Sequence, residues 1–200
     1  MSRRLPLRLQ LRLRASVVAA VVALSLLPAC SSQQPFREAS CDFSDTGLIL
    51  AAQAVPSATL LPCVKSLPIG WTFGGSDVRN GLDRFWLDSD RAGIHAVEVS
   101  LTPRCDVGQA VEVSPAPDEA GTKRFEEPVS LPPHFQAVRF YTFPGGCVSY
   151  RYSFQTGAAS TLVFEADEAL SFLPRAPFVK KVQGEVGQPL CGAGAPACLP

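Results

Sequence analysis

Seven cysteines punctuate this chain of 200 residues, and their spacing restricts the fold more than any other feature. Six of them, Cys41, Cys63, Cys105, Cys147, Cys191 and Cys198, follow residue 40. None forms a C-x-x-C pair and neither His95 nor His134 stands near a cysteine, so the spacing does not suit a metal site. An even set of this kind reads as a disulfide framework, for which six cysteines allow 15 pairings that sequence cannot rank. The working expectation is Cys41–Cys63, Cys105–Cys147 and Cys191–Cys198, the last closing the loop "CGAGAPAC". Such a framework needs an oxidising compartment. The seventh cysteine, Cys30, ends an apolar run that bears on how the chain would reach one.

Residues 1–14, "MSRRLPLRLQLRLR", hold five arginines and no acid, and residues 15–29, "ASVVAAVVALSLLPA", hold no charge. A basic stretch followed by a short apolar one describes a secretory signal, and the run is shorter than the about 20 residues of a spanning helix. An ordinary cleavage site has small residues at −3 and −1. Here Leu27 is bulky at −3, while Ala29 and Cys30 occupy −1 and +1. "LPAC" resembles the lipobox of bacterial lipoprotein precursors, with Pro28 where a small residue is usual. The resemblance concerns processing only. It implies that the Cys30 thiol receives a diacylglycerol, that the signal is cut before it, and that the new amine is acylated. Two or three chains anchor durably, since each buried CH₂ contributes about 0.8 kcal/mol. "SSQQP" then reads as a polar tether. The expected organisation is a signal peptide over 1–29, a lipidated N-terminus and tether over 30–40, and one extracytoplasmic domain over 41–200. "SRRLPLR" also looks like the twin-arginine export motif, with Pro6 where Phe is usual. The disulfide count favours the general secretory route, in which a chain crosses unfolded and oxidises outside.

Charge narrows the partners. Five of the 18 basic residues lie in the signal, which leaves 13 against 18 acidic residues, a net charge of about −5 without runs. That excludes the basic patch nucleic acid requires and electrostatic adhesion to anionic lipid. The expected partners are the membrane, through the lipid, and an envelope glycan or protein.

Patterning points to an α+β domain: a small antiparallel sheet of five or six strands, covered on one face by C-terminal helix or helices and stabilised by disulfides. "WTFGGSDVR" and "LDRFWLDSD" flank Asn80–Gly81, the strongest short hairpin signal, and "GIHAVEVSLTP" alternates as a third strand. "QAVRFYTF" and "CVSYRYSF" flank "PGG" in the same way, while "QAVEVS" and "TKRFEE" are weaker strand candidates. "GLILAAQAV" suits a strand or a short helix. Across "STLVFEADEALSFL" the period changes: Leu162, Val163, Ala166, Ala169, Leu170 and Leu173 share an arc of about 120°. A helix is expected there, capped by Ser160 or Thr161, with a second over "PRAPFVKKVQGEVG".

No nucleophile elbow, H-E-x-x-H, phosphate loop or dinucleotide fingerprint occurs, so no catalytic residue, metal ligand or cofactor is assigned. "DSDRAG" resembles the start of a calcium loop, but Val99 stands where a bidentate Glu is required, and a turn is the better reading. Glu126–Glu127 and Glu165–Glu168 read as solvated carboxylates. The aromatics carry more interest, and the expected ligand face combines Trp86, Arg139, Tyr141 and Arg151. The functional expectation is a non-catalytic envelope lipoprotein domain on the outer side of the membrane. The alternative is an exported hydrolase whose site the sequence does not reveal.

Overall fold

The computed structural model describes residues 40–42, 45–155 and 158–198, which belong to one compact unit, Phe36–Pro200. The signal peptide, Cys30 and residues 31–39 of the tether lie outside the described residues. In chain order the elements are α1 (Thr46–Ala54), β1 (Leu60–Val64), β2 (Trp71–Arg79), β3 (Leu82–Ser89), β4 (Gly93–Thr102), β5 (Val111–Val113), a 3₁₀ turn (Pro117–Glu119), β6 (Lys123–Ser130), β7 (Phe135–Phe143), β8 (Gly146–Phe154), α2 (Ala159–Ala169), β9 (Leu170–Pro174) and α3 (Arg175–Glu185).

The main sheet has the order β2-β3-β4-β8-β7-β6-β5, antiparallel throughout. It has seven strands rather than five or six, because both weak candidates form strands and close one end of the sheet. The two hairpins turn where expected, at Asn80–Gly81 and Pro144–Gly145. At the second, Gly145 has φ +75°, and a Cβ there would overlap the Ser57 carbonyl oxygen. Only glycine lets the turn approach that backbone so closely. Ser57 Oγ donates to the Gly145 carbonyl across the same contact (2.6 Å).

β9 corrects the helix expected over 160–173. α2 starts after Ala158, not after Ser160 or Thr161, and stops at Ala169. From Leu170 the backbone pairs with β1, Leu170 opposite Val64 and Leu173 opposite Leu61. The apolar positions that extended the helical stripe are packed by strand pairing instead. The cover over the sheet is corrected too. It is not C-terminal alone: α1, an apolar helix buried on most sides as expected for a core element, touches β1, β2 and β3, whereas α2 and α3 touch β9. One core joins Leu48 and Ala52 of α1, Leu162 and Ala166 of α2, and Phe178 and Val182 of α3 to Phe85, Val97, Val99, Val148 and Tyr150 of the sheet.

Two devices fasten this cover. The six cysteines pair as Cys41–Cys63, Cys105–Cys147 and Cys191–Cys198. The second ties the β4–β5 connection to β8. Arg175, 1% exposed at the start of α3, donates to the carbonyls of Ala52 (3.0 Å), Cys191 (2.5 Å) and Ala193 (3.0 Å). A cation thus caps one carbonyl in the last turn of α1, that of Ala52, where the helix dipole favours positive charge, and holds the last disulfide loop. Burial pulls its pKa below the ordinary arginine value. Among the described residues no helix is long and apolar enough to cross a membrane.

Candidate functional site

Register divides the expected ligand face between the two sides of the sheet. The β7–β8 turn sets Phe143 opposite Gly146, which puts Arg139 opposite Tyr150 and Val138 opposite Arg151. Arg139 and Tyr141 therefore share the inner face with Tyr150 and Tyr152. Arg151 lies on the outer face in line with Glu98 and Trp86.

The outer group is a ladder of exposed and half-buried side chains that pair with one another. The Trp86 indole donates to Glu98 Oε2 (3.0 Å), and the Arg84 guanidinium lies 5.2 Å above the Trp86 ring. His95 stacks on Trp86 at 5.0 Å, and Arg151 Nε is 4.0 Å from Glu98.

The inner group is a half-buried ionic network centred on the buried Arg139, at the β6–β7 end of the sheet beneath α2. Arg139 donates through Nε to Glu126 (2.7 Å) and through NH1 to Asp167 of α2 (2.6 Å) and the Tyr141 hydroxyl (3.3 Å). Its ring neighbour is Tyr152, at 5.5 Å. Arg124 binds Glu126 and, at 3.3 Å, Glu119 of the 3₁₀ turn. The Tyr141 hydroxyl donates to Glu119 (2.7 Å) and the Tyr152 hydroxyl to Asp167 (2.8 Å).

Burial by itself would discharge these groups, and pairing prevents it. At Arg139 desolvation is outweighed by the surrounding hydroxyls and the Asp167 carboxylate, which hold the guanidinium above its ordinary value. At Glu126 desolvation is again the largest influence, but Arg124 and Arg139 overcome it and keep the carboxyl below its ordinary range. For Tyr141, Tyr150 and Tyr152, desolvation dominates and pushes the phenols well up. The site therefore combines fixed charges with three phenols that stay protonated, of which Tyr141 and Tyr152 donate to carboxylates.

Two cavities flank the Arg139–Asp167 pair. One, of about 200 Å³, opens between the 3₁₀ turn, α2 and β9, and is lined by Glu119, Arg124, Tyr141, Tyr150, Asp167 and Phe172 among others. The other, of about 240 Å³, is more apolar and lies toward Phe135, Ala137, Tyr152 and Val163. Asp167 borders the first, while Arg139 and Tyr152 border the second.

The remaining sequence candidates lie elsewhere. Glu165 is engaged by Arg91 and by the Trp71 indole (2.8 Å), and the Arg91 hydrogen bond chiefly holds its carboxyl below the ordinary value. Glu126 points to the inner face and Glu127 to the outer. His134 sits exposed in the β6–β7 connection. Among the described residues no three His, Cys, Asp or Glu side chains gather as metal ligands. Sequence reasoning missed Glu119, Arg124, Tyr150 and Asp167. The length of the β7–β8 turn was the available signal, since a two-residue turn fixes register and so places Arg139 beside Tyr150. Comparison of the chain with known protein families, with curated proteins and with solved structures finds no significant match in any of the three.

Proposed function

We propose that this chain is a bacterial envelope lipoprotein, anchored through lipid on Cys30 to the outer side of a membrane, whose folded domain binds an envelope ligand without transforming it. The observation that carries the binding reading is the cavity between the 3₁₀ turn, α2 and β9, whose wall residues Glu119, Arg124 and Asp167 belong to the ion-pair network. Arg124 and Arg139 hold Glu119, Glu126 and Asp167 in place, so these polar groups are ordered before any ligand arrives. Preorganised polar groups and aromatic faces around a concavity are what a small-molecule site requires. Both histidines stand apart from it, His95 on Trp86 of the outer face and His134 in the β6–β7 connection. Three disulfides suit an oxidising compartment, which supports export.

Native mass spectrometry of the full-length protein, extracted from its own host's envelope, tests both halves. The expected species is Cys30–Pro200 plus diacylglyceryl and acyl groups, less six hydrogens, carrying a small-molecule adduct. A Cys30→Ser protein should leave the membrane fraction or remain unprocessed. A chain that starts elsewhere with Cys30 unmodified would refute the anchor. An adduct-free protein that stays so with every envelope extract added back would refute the binding role.

A further inference from the structure

The three tyrosines of the inner wall are not equivalent. Tyr141 donates to Glu119 and Tyr152 to Asp167. Tyr150, only 3% exposed, lines the smaller cavity, and its hydroxyl has no partner among the described residues. The Tyr150 hydroxyl opens onto the cavity, which marks it as a place where a ligand atom is received. Desolvation keeps the phenol protonated, so it can donate to such an atom as well as accept from one.

Acceptors and a further hydroxyl wait on the same cavity. Asp167 Oδ1 takes both Arg139 and Tyr152, and Oδ2 has no hydrogen-bond partner among the described residues. Glu168 and Ser171 also line the cavity and make no side-chain hydrogen bond or ion pair among the described residues. A ligand that uses all of these groups accepts from Tyr150 and donates to the carboxylates on the same cavity. Hydroxyl groups do both, whereas an ammonium only donates and a carboxylate only accepts. Charge argues against anions as well, because Arg124 faces Glu119, Asp167 and Glu168, a formal net of −2. Phe164 stands 63% exposed at the mouth and Phe172 lies within, giving apolar faces for ring C–H groups. A volume of about 200 Å³, below the roughly 300–1,000 Å³ of sites for drug-sized molecules, admits one ring.

We infer that the cavity receives a neutral, hydroxyl-rich ring, a single uncharged sugar residue, with Tyr150 as donor, Asp167 and Glu168 as acceptors and Phe164 as the stacking face. This rests on the binding reading above and names its ligand class.

The test is calorimetric titration of the full mature protein, disulfides intact, in a detergent without a sugar headgroup. The probes are neutral methyl glycosides, their lipid-linked counterparts, the matching uronic acid, and alkylamines. A neutral glycoside should bind and the uronic acid should not. Tyr150→Phe should weaken binding about tenfold, the loss of one good hydrogen bond, yet leave the melting temperature of the free protein unchanged or raised. Phe164→Ala, at an exposed site, should weaken binding without unfolding. If lipid-linked glycosides alone bind, the sugar is recognised as part of a glycolipid; if free ones bind equally, the ring suffices, and both outcomes support the assignment. Binding that Tyr150→Phe leaves unchanged would overturn it. Amine binding abolished by Phe164→Ala, with no sugar bound, would overturn the sugar class and keep the binding role. Failure of every probe, with an adduct-free native mass, would remove both.

Discussion

Asp83 offers a measurement in which the burial of one carboxyl reads out directly. It occupies β3 on the inner face, between Val78 of β2 and Leu101 of β4, and is 3% exposed. Its Oδ2 has no hydrogen-bond partner, and desolvation pushes its pKa from 3.8 up to about 7. The folded protein therefore holds a proton there that the unfolded chain releases near pH 4. Between those two values the native state binds more protons, so stability must fall as pH rises. At about 1.36 kcal/mol per pH unit, a rise from 3.8 to about 7 amounts to about 4 kcal/mol. The penalty is absent below about pH 4, grows through the interval, and levels off above about pH 7. Asp83→Asn matches the protonated carboxyl in shape and cannot ionise. Urea unfolding of both proteins, disulfides intact, from about pH 4 to about pH 9 should show equal stability at the acid end and a variant more stable by about 4 kcal/mol at the alkaline end. A difference that does not vary with pH, or a variant less stable above pH 7, would refute the reasoning, because either result requires a partner for the carboxylate.

Other outcomes follow from the same physics. Arg175→Met removes a cation from three buried carbonyls and should cost about 3 kcal/mol in urea unfolding; a loss within error would mean water replaces the guanidinium. Replacing the Cys105–Cys147 pair with serines opens a 42-residue separation and should cost about 4 kcal/mol, against about 2 for Cys191–Cys198 with its separation of 7; the reverse ranking would show that loop-closure entropy is not what these bonds supply. Arg139→Met should destabilise by about 1–3 kcal/mol, because Asp167 loses its cation while Glu126 keeps Arg124, and Arg139→Met with Glu126→Gln and Asp167→Asn should recover part of that in thermal unfolding.

Much of the fold was legible because its signals are local. Asn-Gly and Pro-Gly turns and two-residue alternation act over short separations, and the hairpins follow them; the disulfides pair as expected, but across separations of 22, 42 and 7 that sequence alone does not rank. The segment from Leu170 to Pro174 was not legible, for a physical reason. Leu170 and Leu173 extend a helical period as well as they serve a strand, and a short apolar run does not distinguish the two. What decides is Leu60–Val64, more than 100 residues earlier, whose backbone groups take the β9 ladder. Tertiary pairing overrides a local preference of a few tenths of a kilocalorie per residue.

The site was legible only in part, because most of its partners lie far from one another in the sequence. Arg139 and Tyr141 stood out as polar groups on an alternating strand, but their partners come from the 3₁₀ turn, β6 and α2, which no spacing rule joins to β7. Once joined, Arg139 is matched on both sides, by Glu126 and by Asp167. The same pairing ties α2 to β7 beside the cavity, on which the Tyr150 hydroxyl and Asp167 Oδ2 have no partner among the described residues. Under the binding role proposed above, the ion pair serves as scaffold and the Tyr150 hydroxyl serves recognition. Loss of Arg139 should then disturb stability and ligand affinity together, whereas loss of the Tyr150 hydroxyl should disturb affinity alone.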